Sequence, residues 1–238
     1  MRIDILGVGF DAVTPDEAIA AAAARLDGAR PGTDYIVTPN PEIVEFCRRD
    51  ADAADAISGA FLVLPDGIGI IYAAKILGRQ LCRRVPGIDF ACALLARGAY
   101  RVFLLGAKPG VAARAGQAVA ARYPGVVIAG CRDGYFADDA EVVAQINAAA
   151  PDIVFVCLGA PKQEKWMAQN APALNAKLLI GLGGALDVLS GDTRRAPRFM
   201  QRLGLEWLYR IVSQPRRIGR MARLPLFLLR ALKARING

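Results

Sequence analysis

Four short polar stretches in this sequence each follow directly on an apolar, β-branched run: Thr38-Pro39-Asn40, Pro65-Asp66-Gly67, the segment from Gly159 to Gln163 and Glu164, and the segment from Gly183 to Asp187. A carboxylate in such a place can take a proton from an attacking hydroxyl, and hydroxyls and amides can orient a polar ligand beside it. An open α/β sheet binds its ligands outside the carboxyl ends of its strands. If the four preceding runs are parallel strands, these residues converge on one edge. Each stretch alone also has a plain structural reading: Asn40 as a helix cap, Asp66-Gly67 as a turn, Asp187 as the partner of a nearby arginine. Four together, in a chain with a basic C-terminal end, favour a site.

Composition removes other chemistries. The 238 residues contain no histidine and only three serines, Ser58, Ser190 and Ser213. Ser-His-Asp hydrolysis, histidine bases and histidine-ligated metals are therefore excluded. The five cysteines form no C-x-x-C pair, which argues against a zinc site, and their odd number argues against a full disulfide framework. A reducing compartment fits them best. The N-terminal MRIDILGVGF carries Asp4 where a signal peptide needs an apolar core, so it reads as a first strand and the protein as cytoplasmic.

Three further motifs have two readings each. The segment Gly7 to Ala12 matches the dinucleotide fingerprint G-x-G-x-x-A, but the next helix signal begins only at Thr14, too late to aim its N-terminus at a pyrophosphate. The segment Gly106 to Gly110 follows a strand, and Pro109 reads as opening a helix whose N–H groups could receive a phosphate or a sugar hydroxyl; a tight βα turn fits it equally. Asp50-Ala51-Asp52 has the D-x-D spacing of a divalent-metal site. It lies in a helical pattern beside Arg48 and Arg49, which reads as a solvated helix face.

The elements that must position these residues alternate along the chain. Strands are predicted at 3–8, 34–38, 61–64, 101–106, 126–129, 153–158 and 177–182. Between them stand helices with readable starts, a capping box at Thr14-Pro-Asp-Glu17 stopped by Gly28, and an Asn40-Pro41 cap. Continuously apolar strands separated by helices predict an α/β fold, Rossmann-like, with a mostly parallel sheet covered on both faces. The reading places this core at 1–193, with a soft boundary near 78–86 that could separate two lobes.

Residues 194–238 differ in kind. They hold twelve of the 30 Lys and Arg but only one of the 22 acids, Glu206. A basic end of this sort seeks a polyanion: nucleic acid, an anionic membrane surface or a phosphorylated substrate. On a helical wheel Leu224, Leu228, Leu229, Leu232 and Ile236 share a side, with Arg223, Arg230 and Lys233 opposite and Arg235 on the apolar side. This is an imperfect amphipathic helix, suited to lying on a membrane rather than crossing it.

VTPNPEIV (37–44), PDGIGI (65–70), RVPGIDF (84–90), VFLLGAKPGVA (102–112), DGYF (133–136), FVCLGAPKQEKWM (155–167), GLGGALDVLSGDTRRAP (181–197) and GLEWLYRIVSQPRR (204–217) resemble, in order, the WecG/TagA/CpsF family of bacterial glycosyltransferases. The resemblance runs from about residue 37 to 220. It implies transfer of a sugar, N-acetylmannosamine or a relative, from a UDP-sugar to a polyprenyl-diphosphate-linked saccharide, with inversion, in the building of cell-surface polysaccharide. It also implies a catalytic base at Asp66 and substrate-binding residues at Thr38, Asn40, Arg84 and Gln163. The strand-end reading adds Gly106 and Asp187 to the binding set. The resemblance further implies an arginine-rich lid, Arg216, Arg217, Arg220 and Arg223, closing over the site at the inner face of the membrane. Gln214 departs from the family's pattern, which has Glu before Pro-Arg-Arg.

The residue types suit that chemistry. An inverting transfer needs one base and positive charge for the departing diphosphate. Asp66 supplies the first, and Arg84 with the tail arginines supplies the second, because guanidinium forks bind phosphate oxygens bidentately. The expectation is therefore a UDP-sugar donor, a polyprenyl-diphosphate acceptor, a peripheral membrane contact, no nucleic acid, no metal and no resident cofactor. Two competing readings are an NAD-dependent oxidoreductase using Gly7 to Ala12 and a non-catalytic basic membrane adaptor using only the tail.

Overall fold

The computed structural model describes residues 1–81, 83–213 and 223–237. Gln214, Pro215, Arg216, Arg217 and Arg220 lie outside the described residues, as does the side chain of Arg223.

The chain opens with β1 (Arg2–Ile5) and β2 (Val8–Asp11), then α1 (Pro15–Asp27), β3 (Asp34–Val37), α2 (Pro41–Cys47), α3 (Ala51–Ser58), β4 (Leu62–Val63), α4 (Ile68–Ile76) and α5 (Gly87–Leu95). It continues with β5 (Arg101–Gly106), α6 (Val111–Arg122), β6 (Val127–Arg132), α7 (Asp139–Ala149), β7 (Ile153–Cys157), α8 (Lys162–Asn170), β8 (Leu178–Gly181) and α9 (Ala185–Leu189). Three helices follow: α10 (Arg198–Arg202), α11 (Glu206–Ser213) and α12 (Arg223–Asn237). Six strands form one sheet in the order β4-β3-β8-β7-β5-β6, and every pairing in it is parallel.

Successive residues of a strand point to opposite faces, and here each face has its own core. Val37, Leu105, Val154 and Leu179 join one apolar cluster with Ile43 and Val44 of α2, Ile57 of α3, Ile70 of α4, Ile146 of α7 and Trp166 of α8. Ile36, Leu104, Phe155 and Ile180, their strand neighbours, join the other with Leu26 of α1, Phe90 and Leu94 of α5, Ala115 of α6 and Leu186 of α9. The unbroken apolar strands of the sequence are thus buried on both sides, which gives the predicted α/β sandwich. The Thr14 capping box, the Gly28 stop and the Asn40 cap all form.

Four readings are corrected. The run 3–8 is not one strand. Leu6 and Gly7, at φ 55° and 92°, turn the chain between β1 and β2, which pair antiparallel outside the six-stranded sheet. Two consecutive positive φ values are what a two-residue hairpin needs. Gly7 to Ala12 therefore belongs to a hairpin rather than to a strand-to-helix turn, and the dinucleotide reading loses its geometry. Pro109 does not open α6; Gly110, left-handed at φ 81°, is the cap and Val111 the first helical residue. Asp50 is not mid-helix, since its carboxylate accepts the Ala53 N–H and starts α3. Strand β6 runs on to Arg132.

The wheel for the last helix needs adjustment too. α12 packs on α4 and α2. Phe227 and Ala231 are fully buried there, Leu228 packs against the same core, and Leu224 reaches to Gly69, where a side chain would collide with it. Leu226, Leu229, Leu232 and Ile236 remain exposed on the other side, Leu229 at 61% and Ile236 at 74%.

Candidate active site

Main-chain bonds stitch the polar stretches together at the carboxyl ends of β3, β4, β7 and β8. The Asp66 N–H donates to the Pro39 carbonyl at 3.1 Å, tying the segment after β4 to the one after β3. The Val85 N–H donates to the Pro65 carbonyl at 2.7 Å, which brings in the segment carrying Arg84. Thr38 Oγ1 donates to the Gly181 carbonyl at 3.1 Å, joining β3 to β8, and a Cβ on Gly87 at the start of α5 would stand 3.0 Å from that hydroxyl. Leu182 N–H bonds the Val156 carbonyl at 2.9 Å, and so β8 is held to β7. The N–H bonds among these fix backbone to backbone, and a side chain mounted on them has little freedom left.

Gln163 sits on the first turn of α8. It is 2% exposed; its Oε1 accepts the Gly183 N–H at 2.9 Å, and its Nε2 donates to Glu164 Oε1 at 2.9 Å. Gly181 leaves room for it, because a Cβ there would stand 3.2 Å from Gln163 Nε2. Asn40 Oδ1 accepts the N–H groups of Glu42 and Ile43, so the plain capping reading holds for that oxygen. Asp66 is half-buried, and Gly67 behind it, at φ 89°, lets the chain turn into α4. Thr38, Asn40, Asp66, Arg84 and Gln163 are in this way brought to one edge.

Arg84 is tied to the C-terminal segment. Its Nη1 donates to Glu206 Oε2 at 3.0 Å, and its Nη2 donates to the Gln201 carbonyl. Glu206 Oε1 in turn accepts from Arg195 Nε at 3.0 Å, and the two Nη groups of Arg195 fork onto the Asp89 carboxylate of α5. Its bonds to Asp89 and the two nearby acids push the Arg195 guanidinium further toward its charged form. The single acid of the basic tail is therefore the bridge between two arginines.

Gly106 ends β5, and Asp187 stands in α9 after β8, with β7 between the two strands in the sheet. Gly106, at φ 129°, pairs with Cys157, and a Cβ on it would collide with the Cys157 carbonyl, a backbone reason for glycine at that place. Asp187 is half-buried in α9, and its carbonyl accepts the Thr193 N–H at 2.8 Å. Among the described residues Arg114 pairs with Asp192 at 2.5 Å rather than with Asp187. The Cys157 thiol, below Asp187, is pushed up to about 12 by burial and is neutral at pH 7.

The D-x-D pair is engaged elsewhere. Lys165 of α8 lies 2.8 Å from Asp50 and 3.6 Å from Asp52. Its hydrogen bond holds the Asp50 carboxyl below its ordinary value of 3.8 and raises the lysine in turn.

The structure brings into view several residues to which the sequence reading gave no individual role at the site. Glu164 is fully buried beside Gln163. Its signal was the inward spacing 163, 164, 166 and 167 on α8, two polar residues on a face that otherwise carries Trp and Met. Glu206 was marked by being alone of its sign in the tail. Tyr135 is exposed after β6, next to Gly134, whose N–H bonds the Ala107 carbonyl at 2.9 Å. Lys162 lies over the adjacent Phe136 ring at 4.8 Å. A flat ring and a cation at a glycine turn can receive a planar, anionic ligand.

A parallel α/β sheet with a carboxylate, a hydroxyl, an amide and a guanidinium gathered at its strand ends is laid out as an enzyme for a polar substrate. Comparison with known proteins makes this specific. The WecG/TagA/CpsF glycosyl transferase family matches residues 3–238. The chain is 40% identical over 205 residues to the N-acetylglucosaminyldiphosphoundecaprenol N-acetyl-beta-D-mannosaminyltransferase of Bacillus subtilis strain 168, covering 85% of this chain and 80% of that one. It is 34% identical over 237 residues to the protein of the same name from Staphylococcus aureus strain MRSA252, covering 98% and 93%. The chain belongs to the WecG/TagA/CpsF family and is a glycosyltransferase. Among the described residues no helix is long and apolar enough to cross a membrane.

Proposed function

We propose that this glycosyltransferase moves N-acetylmannosamine from a UDP-sugar to a polyprenyl-diphosphate-linked N-acetylglucosamine, with inversion, in the assembly of a cell-surface polymer. The observation that carries the reading is the likeness to the Staphylococcus aureus mannosaminyltransferase, 34% identical over 98% of the chain. Asp66 takes the proton of the acceptor hydroxyl as that oxygen bonds to the anomeric carbon, and the bond from that carbon to the UDP oxygen breaks on the opposite side. Thr38, Asn40, Gln163, Gly106 and Asp187 line the donor and acceptor. The departing diphosphate gathers negative charge, which Arg84, Arg216, Arg217, Arg220 and Arg223 neutralise; no divalent metal is needed for that step. Lys165 between Asp50 and Asp52 supports this assignment, since it already engages both D-x-D carboxylates.

The C-terminal segment, 194–238, holds this site to a bilayer. Leu229, Leu232 and Ile236 are exposed on one side of α12, flanked by Lys233, and basic groups near an anionic surface contribute on the order of 1 kcal/mol each. A lipid-linked acceptor is then met at the inner face of the membrane.

The test is UDP release from UDP-N-acetylmannosamine, UDP-N-acetylglucosamine and UDP-glucose, with and without a short polyprenyl-diphosphate-N-acetylglucosamine acceptor. Acceptor-dependent release from the first alone supports the proposal. Release from another donor reassigns the sugar, and no acceptor-dependent release from any donor overturns the acceptor.

A further inference from the structure

Glu164 is the most deeply buried carboxyl among the described residues. It is 0% exposed, one oxygen accepts from Gln163 Nε2 at 2.9 Å, and the other, Oε2, has no hydrogen-bond partner. Among the described residues no cation is paired with it; Lys165, next along the helix, turns to Asp50 and Asp52. Burial pushes its pKa up from the ordinary carboxyl value. A methionine of the same length would fill the space without an orphaned oxygen, and a buried polar atom with no partner is destabilising. The packing of α8 therefore gives no reason for a carboxyl at this position.

Its bond to Gln163 does. A glutamine amide can be placed in two orientations related by a flip, and the neighbours decide which is kept. Here the Gly183 N–H donates to Oε1 and Glu164 Oε1 accepts from Nε2. Flipping the amide would set oxygen against oxygen at Glu164 and N–H against N–H at Gly183. Glu164 and Gly183 thus lock one orientation and leave a second N–H on Nε2 without a bond, beside Gly181 at the carboxyl end of β8. Gly181 is also where Thr38 bonds, so the locked amide and the Thr38 hydroxyl are neighbours on the stitched edge.

We infer that Glu164 is a positioning residue for sugar transfer, holding the Gln163 amide in the one orientation that offers its free N–H to an oxygen of the bound substrate. This rests on the assignment of Gln163 to the substrate pocket. Glu164 does not touch substrate itself; it acts through its neighbour, and its stability cost is the sign of that task.

The test uses full-length Glu164→Met, Glu164→Gln, Gln163→Met and the Glu164→Met/Gln163→Met double variant, each assayed for kcat/KM with the donor and acceptor above and for its thermal midpoint. Misplacing a polar contact at a reacting centre costs about tenfold to a hundredfold. Glu164→Met is expected to lose that much in kcat/KM while its midpoint holds or rises, because the orphaned oxygen is gone. Glu164→Gln keeps the accepting oxygen and is expected to stay within about threefold of the parent. The double variant should be no worse than Gln163→Met. If Gln163→Met keeps full activity, the pocket assignment of Gln163 fails. If Gln163→Met is impaired but Glu164→Met is not, or if the two losses multiply, the pocket assignment stands and the positioning role is overturned. A Glu164→Met variant whose activity and midpoint fall together would make Glu164 a packing residue only.

Discussion

The two halves of the site are held by different physics. The edge carrying Thr38, Asn40, Asp66 and Gln163 is joined by main-chain hydrogen bonds, by two bonds between a side chain and the main chain, and by glycines that let segments approach. The C-terminal segment is held by ion pairs, Arg84 to Glu206, Arg195 to Asp89 and Arg230 to Glu45, and by one apolar helix face. Backbone bonds between buried strands open only with the sheet. Ion pairs on a segment's side chains can exchange partners, and a diphosphate is a fitting competitor for an arginine that rests on a glutamate. On the mechanism proposed above, the difference means that the edge places the reacting groups and the segment responds to what arrives.

Breaking the edge should therefore cost the most. A side chain at Gly181 meets Met167 Cε at 2.7 Å and Gln163 Nε2 at 3.2 Å. Gly181→Val is expected to reduce transfer about a hundredfold and to destabilise the fold by about 1–3 kcal/mol, as read by initial rates and a denaturant midpoint. An unaltered rate would mean that the position of Gln163 does not matter.

Breaking the segment should be milder, and its parts separable. Arg230 pairs with Glu45, which is buried and has one oxygen unpartnered. Arg230→Met leaves that carboxylate alone and should cost about 2 kcal/mol, whereas Arg230→Met with Glu45→Leu should recover most of it, since an apolar pair often replaces a buried ion pair without loss. Equal losses in single and double variants would show that the pair itself, not the stranded charge, sets the stability of α12. On the exposed side of that helix, Leu229, Leu232 and Ile236 changed together to Ser should abolish sedimentation with anionic liposomes and move the midpoint by less than about 0.5 kcal/mol. Retained sedimentation would place the membrane contact elsewhere. Truncating before α12 is the wrong experiment for this question, because it strips Phe227 and Ala231 from the core as well.

The smallest effect belongs to the D-x-D pair. The Lys165 ammonium lowers the Asp50 pKa from 3.8, so the stabilisation it gives is full at pH values above 3.8 and is lost as the pH falls through the lowered value. Asp50→Asn should therefore lack this acid-side loss and leave transfer unchanged, in EDTA as in magnesium. A metal-dependent rate that Asp50→Asn abolishes would return the pair to the active site.

Much of this was legible in the sequence. The strands could be read because burial on both faces makes them continuously apolar, and the caps at Thr14 and Asn40 because a capping side chain is a local device. The β1–β2 hairpin was not legible: its turn places Leu6 at positive φ, which a leucine rarely adopts, so the run looked unbroken. Nor was the docked face of α12. Its apolar residues lie nearly all round the helix, and the choice between them is made by Gly69 and Glu45, far away in sequence. The convergence of Thr38, Asp66 and Gln163 was foreseeable from the strand-end rule. The role proposed for Glu164 was not, because a buried acid beside a glutamine has meaning only once the amide between them has a fixed direction.

The central claim is that sugar transfer proceeds on the stitched edge with Asp66 as its base. Asp66→Asn keeps size and most hydrogen bonding but cannot take the proton. With UDP-N-acetylmannosamine and the lipid-linked acceptor, single-turnover product formation should fall by about two to four orders of magnitude while UDP, titrated in parallel, binds as it does to the parent. Product formation at the parent rate by Asp66→Asn would contradict the account.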